Sequence, residues 1–147
     1  MKIKNDVLQA CFEYANKRIA NYKNEIETIK DAIDSNDKSG DEDDSGNGKL
    51  FNDLEKNSQY LTDAQKMLEG LKIISPNRAS EKVMLGSLVK TTTTNFFISI
   101  SAGKIETESI SVFAISSGSP IGMLLLNKVK GDQVEFNGNT FTITEVI

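Results

Sequence analysis

Asp37-Lys38-Ser39-Gly40-Asp41-Glu42-Asp43-Asp44-Ser45-Gly46-Asn47-Gly48 separates two heptad-patterned segments, and its reading decides the fold. Before it, Leu8, Phe12, Ala15, Ile19, Tyr22, Ile26, Ile29 and Ile33 recur at spacings 4-3-4-3-4-3-4. After it, Leu50, Leu54, Asn57, Leu61, Ala64, Leu68 and Leu71 recur at 4-3-4-3-4-3. Alternating steps of four and three keep side chains on one helical stripe, the pattern of a coiled-coil seam. No Gly or Pro interrupts the chain from Met1 to Ser39, so one long helix is expected there. Gly70 and Ser75-Pro76 are expected to close the second helix.

Antiparallel pairing of the two seams is self-consistent. Ile33 meets Leu50, Ile29 meets Leu54, Ile26 meets Asn57, Tyr22 meets Leu61, Ile19 meets Ala64, Ala15 meets Leu68 and Phe12 meets Leu71. The residue numbers of each pair sum to 83, so the fold-back centre falls between Asp41 and Glu42. A buried Leu or Ile contributes ~1.5–3 kcal/mol, so such layers suffice to hold a hairpin. Asn57 is the polar seam position, and a buried seam Asn fixes register. The alternative is a solvated Asn57 at the seam edge. The acidic run itself reads two ways, as a solvated connector or as a functional tip. Its Asp, Asn and Gly content is superficially that of a calcium loop, but no Glu closes a twelve-residue EF-hand spacing.

Charge separates the same two regions. The formal net charge is −4. Seven acids and one base between Asp31 and Gly48 give −6, which leaves +2 for the rest of the chain. A near-neutral body with an acidic tip lacks the basic face of a phosphate-driven nucleic-acid binder. The bases Lys17, Arg18, Lys23 and Lys30 are interleaved with Glu25, Glu27 and Asp31, as on a solvated helix face. Cys11 is the sole cysteine, which excludes an internal disulfide and fits a cytoplasmic setting. With no His, the chain offers neither a Ser/His/Asp triad nor a Cys/His pair. No apolar run approaches the ~20 residues of a membrane span.

After Ser75-Pro76-Asn77-Arg78 the charge thins and β-branched and aromatic residues rise. Strands are expected over 83–91, 95–101, 111–115, 133–137 and 140–146. Asn137-Gly138 suits a type I′ hairpin turn. Ser119-Pro120 opens a short helix running to Asn127, with Ser as N-cap and Pro at the first helical position. The fold class is α+β: an antiparallel two-helix coiled coil over 1–75, with an acidic tip at 37–48, followed by a small antiparallel sheet with one helix over 76–147. Phe96, Phe97, Phe113, Phe136 and Phe141 are expected as core and sheet-face residues, with a ligand pocket as the alternative.

The body carries a longer signature. Ser119-Pro120-Ile121-Gly122-Met123-Leu124-Leu125-Leu126-Asn127-Lys128-Val129-Lys130-Gly131-Asp132-Gln133-Val134 resembles the Ser-Pro-(Ile/Leu)-x-x-x-Leu-(Leu/Ile)-x-Lys-x-x-Gly-Asp-x-Val pattern of the Gre transcript-cleavage factor family. Val83 to Val89 resembles the first strand of the same domain. With the hairpin, the resemblance spans nearly the whole chain. It implies an FKBP-like C-terminal domain that docks on the rim of the bacterial RNA polymerase secondary channel. Ser119, Pro120, Ile121 and Met123 are then the partner-binding candidates. It also implies a coiled coil that reaches toward the catalytic magnesium. There tip carboxylates help hold a second Mg²⁺, a hard cation commonly bound by one or two carboxylates. On this reading the protein is not itself an enzyme, holds no cofactor stably, meets RNA or DNA only through the polymerase, and is a monomer.

The tip departs from the family pattern Gly-Asp-x-x-Glu-Asn-Ala-x-Tyr. Gly40-Asp41 with Asp44 keeps the acid spacing, but Asp replaces Glu and no Asn-Ala follows. Asn52-Asp53-Leu54-Glu55-Lys56-Asn57-Ser58-Gln59-Tyr60 looks like the longer motif, yet Lys56 stands where the family has its catalytic Glu. Seam register places Asp53 and Lys56 about three turns, ~15 Å, from the turn. Asp41 and Asp44 are therefore the candidate metal ligands, with Glu42 and Asp43 as additional charges. Such a tip resembles Gre-like homologues that inhibit polymerase. Modulation of elongation is the expectation, stimulated transcript cleavage the first alternative, and an FKBP-like isomerase or ligand-binding module the second.

Overall fold

The computed structural model describes residues 2–38 and 45–147. The chain is α+β: two long helices, then a six-stranded sheet with one short helix. It divides into two compact units, Ala15–Leu68 and the combination of Met1–Tyr14 with Glu69–Ile147.

The first unit is helical. Helix α1 spans Lys2–Lys38 and helix α2 spans Ser45–Lys72. Within the unit, every seam position from Ala15 to Ile33 and from Leu50 to Leu68 is buried or half-buried. Two cross-helix contacts report the register. The Asn36 side-chain amide donates to Oδ1 of Asn47 at 3.0 Å. The Tyr22 and Tyr60 rings lie 5.5 Å apart. Asn36 and Asn47 sum to 83, the register of the heptad pairing, and Tyr60 is the residue next to Leu61, the seam partner expected for Tyr22. Arg18 stacks at 5.4 Å over the Tyr22 ring and donates to its hydroxyl, capping that aromatic layer.

Two expectations change here. α2 begins at Ser45, so Gly46 and Gly48, assigned to a connector from the sequence, are helical. Helical Gly costs ~1 kcal/mol relative to Ala, but the Asn36–Asn47 bond carries pairing a turn beyond the last apolar layer. Asn57 is half-buried, and its side-chain amide donates to the Asp53 carbonyl of its own helix at 2.9 Å. Register rests on the apolar layers and the Asn36–Asn47 bond, with no described bond from Asn57 to α1.

The second unit is built on strands β1 (Leu88–Thr91), β2 (Phe96–Ile98), β3 (Gly103–Glu106), β4 (Ser111–Ile115), β5 (Gln133–Phe136) and β6 (Asn139–Val146), with helix α3 (Pro120–Leu125) between β4 and β5. Their order in the sheet is β3-β4-β2-β1-β6-β5. The expected sheet was antiparallel, and one pair is not: β2 runs parallel to β4, with Phe96 beside Phe113 and Ile98 beside Ile115. The β3–β4 hairpin inserts its second strand next to β2, which forces that direction. β3 itself escaped the sequence reading. It is an edge strand in which Ile105 alone is buried between exposed Lys104 and Glu106, so it carries almost no alternation. The expected first strand is cut back to Leu88 because Gly86 turns the chain at φ +90°, tight against Ile74. The β5–β6 turn is as expected, with Asn137 and Gly138 both at positive φ.

Strand alternation gives the sheet two buried faces. Val89, Phe96, Ile98 and Ile143 pack with Leu125 of α3, Val134 and Phe141. Leu88 and its partner Phe97 point the other way and are fully buried. On α1, Lys4, Val7 and Cys11 are buried at helical spacing, and Cys11 Sγ lies 4.0 Å from the Ser99 hydroxyl. The first turns of α1 thus belong to the body, through a stripe distinct from the heptad seam.

Candidate functional site

The signature segment from Ser119 to Val134 folds as one stapled unit, and its residue types follow from local needs. Ser119 is the N-cap of α3: its hydroxyl accepts from Gly122 N at 3.1 Å and donates to the Ser116 carbonyl at 2.7 Å. Pro120 fits the first turn, where no backbone donor is needed. A Cβ on Gly122 would stand 2.1 Å from the Ser116 oxygen, so only Gly permits this approach. Leu125 is fully buried and anchors the helix in the core.

The segment's second half is a turn. Asn127, at φ 67°, ends the helix and donates its N–H to the Val83 carbonyl at 2.8 Å. Val83 in return donates to the Lys128 carbonyl at 2.9 Å. Gly131 adopts φ +95°, and the Asp132 carboxylate accepts from Val129 N at 2.9 Å. The link between Val83 and the signature is therefore backbone hydrogen bonding.

The four partner-binding candidates separate by environment. Ser119 is occupied as a cap and Ile121 packs against the core. Pro120 is exposed, and Met123 is 62% exposed. Leu124, which the sequence reading passed over, is 41% exposed beside them. Spacings of three and four residues put Pro120, Met123 and Leu124 on one face of α3. A short, rigidly capped helix thus offers apolar side chains to solvent. The missed signal was the triple Leu124-Leu125-Leu126, which divides: Leu125 is fully buried and Leu126 packs half-buried against the core, whereas Leu124 faces solvent.

Next to α3, Phe96, Phe113, Ile115, Ile121, Phe136 and Phe141 line an open groove of about 340 Å³. Phe96 and Phe141 stack with ring centroids 5.8 Å apart. Four of the five phenylalanines singled out in the sequence meet here, and Phe97 lies on the opposite sheet face. Phe113, 41% exposed, forms an open wall of the groove.

The chain is similar to Gre-factor homologues of known structure. The transcription factor Gfh1 matches at 18% identity over 93% of this chain and 93% of that one, with a TM-score of 0.40. The GreA factor homolog 1 (Gfh1) protein of Thermus thermophilus matches at 18% identity, over 92% of this chain and 94% of its own, with a TM-score of 0.36. Gfh1 of Thermus aquaticus matches at 20% identity over 94% of both chains, with a TM-score of 0.35. No protein-family model matches the chain, and no curated protein matches it. Identities and scores this low transfer no residue role.

The metal-ligand candidates Asp41 and Asp44, and the accompanying Glu42 and Asp43, lie outside the described residues. Described chain flanks them on both sides, at Asn36 and Asn47. Among the described residues, no group of three or more carboxylate or thiol side chains is placed to hold a metal ion, and no helix is long and apolar enough to cross a membrane. The competing motif at Asn52–Tyr60 lies within α2, where Lys56 is exposed and the Asp53 carbonyl accepts from Asn57.

Proposed function

We propose that this chain is a Gre-like regulator of bacterial RNA polymerase, with α3 docking at the rim of the secondary channel and the acidic tip reaching toward the catalytic magnesium. The observation that carries the reading is the capped α3, which exposes Pro120, Met123 and Leu124 within a segment of family signature. Register supports the tip: Asn36 with Asn47 shares the seam's sum of 83, which is centred between Asp41 and Glu42. On this reading the protein has no catalysis of its own. Asp41 and Asp44 hold Mg²⁺ only inside the polymerase complex, with Glu42 and Asp43 adding charge. It acts in the cytoplasm as a monomer, and nucleic acid is met only through the polymerase.

Two experiments test this. Core polymerase should retain the wild-type chain but not Met123→Glu, whose substitution is exposed and leaves the core intact. Equal retention of both, or of neither, would overturn the docking role. In a backtracked complex of the cognate polymerase, slowed extension supports the regulator. Shortened RNA that depends on Asp41 and Asp44 establishes the cleavage-factor alternative instead.

The groove beside α3 supports a second reading, an FKBP-like ligand or proline-peptide site lined by Phe96, Phe113, Phe136 and Phe141. Isomerisation of a model proline peptide, abolished by Phe141→Ala, would favour it.

A further inference from the structure

Among the described residues, β3 pairs with β4 and ends the sheet. The direction of its outer backbone groups follows from β4. Phe113 donates its N–H to the Asn95 carbonyl at 2.8 Å, and the Ile115 carbonyl accepts from Ser99 N–H at 2.8 Å, so both turn their backbone toward β2. Val112 and Ala114, in the alternate positions, turn theirs toward Ile105 and Gly103 of β3. Thr107 keeps the same phase by donating to the Ile110 carbonyl at 2.9 Å. Lys104, opposite Phe113, and Glu106, two residues on, therefore point their N–H and C=O groups away from β4. Such an edge is a template for another strand.

The side chains of these two residues carry opposite charge. Lys104 Nζ and Glu106 Oε1 lie 3.1 Å apart on one face, 59% and 66% exposed, whereas Ile105 between them is buried. A second β3 laid antiparallel across the edge and centred on Ile105 sets each Lys104 against the other copy's Glu106. The outward N–H and C=O groups of both residues then bond reciprocally, and the charges alternate in sign. A one-residue slip takes the backbone groups out of phase. An antiparallel slip of two residues sets like charges opposite each other, which is destabilising. Edge charges ordinarily deter pairing, but Lys104-Ile105-Glu106 is its own complement in this one register.

We propose that two copies of this chain pair reversibly through β3, antiparallel about Ile105. The contact is far smaller than the ~1,200–2,000 Å² of a stable interface, so the pair forms in concentrated protein and dilution returns the monomer that acts on polymerase in the reading above. β3 contributes no residue to α3 or its groove. The test is sedimentation equilibrium of the full chain over a concentration series. Wild type should associate with concentration, and Lys104→Glu and Glu106→Lys should each weaken this by at least about fivefold. An equimolar mixture of the two variants, one doubly acidic and the other doubly basic at this edge, should associate at least as tightly as wild type. Both side chains are exposed, so neither change disturbs the core. A wild type that stays monomeric at every concentration, single variants as tight as wild type, or a mixture that does not associate would overturn the proposal.

Discussion

The single helix α1 lives in two different environments. From Lys2 to Tyr14 it packs on a sheet face as well as carrying its heptad seam, and Val7 and Cys11 are fully buried. From Ala15 onward the seam is its packing surface, and Ile19, Tyr22 and Ile26 are only half-buried. Continuous hydrogen bonding along one helix therefore conceals a change in what stabilises it. Two apolar stripes hold the first turns and one holds the rest. Amides in Ala15–Leu68 should accordingly exchange with solvent before those of β1 and β6, because local opening there exposes less apolar surface.

The contrast can be broken from the body side most severely. Phe97→Ala removes a fully buried ring and should destabilise the body by ~3–5 kcal/mol, measured by urea unfolding. The hairpin seam should survive as a helical signal. Gly122→Ala comes next: its Cβ collides with the Ser116 oxygen, and about 1–3 kcal/mol should be lost with the capped geometry of α3. Polymerase retention should fall with it, although no docking side chain has changed.

From the hairpin side, Ile29→Ala should cost ~2–3 kcal/mol. Its effect should concentrate in exchange rates of Ala15–Leu68, leaving the sheet amides unchanged. A uniform rise across both units would show that they unfold as one.

Titration sharpens the comparison at the packed end of α1. Burial pushes the Cys11 thiol up from 9.0 to about 11, opposed by the Ser99 hydroxyl. The unfolded thiol ionises first, so this contribution to stability is full below 9.0 and lost as pH rises to about 11. Cys11→Ala should therefore gain on wild type across that window, by on the order of 2 kcal/mol at its end. Burial holds Lys4 below its ordinary 10.5, which has the opposite sign. Stability from this group rises with pH until the unfolded amine titrates, and Lys4→Met should flatten that rise. The smallest effect is expected at Asn57→Leu. Its amide is satisfied within α2, so the hairpin should gain under about 1 kcal/mol with the Tyr22–Tyr60 contact kept.

Legibility followed the range of the interactions. The hairpin register and the α3 cap depend on residues close in sequence or on a repeated pattern, and both were readable. Ser119-Pro120 announces a cap because the groups it satisfies, Ser116 O and Gly122 N, are three residues away. The parallel β2–β4 pair, the edge strand β3 and the second stripe of α1 depend on distant partners. Nothing near Lys4 in the sequence marks it as buried, because its acceptors lie 74 and 143 positions along the chain. The exposed face of α3 became visible only once Leu125 was known to point inward.

The bond from Lys4 to Ile147 also orders events during synthesis. A ribosome delivers both stripes of α1 in its first turns, and the hairpin partner follows by Leu71. Acceptors for the buried lysine are completed only when residue 147 emerges. Until then the nascent helix carries Val7 and Cys11 uncovered, a sticky strip that waits for a sheet not yet made. The hairpin can close on residues made before Lys72, whereas the body waits for β6 and Ile147.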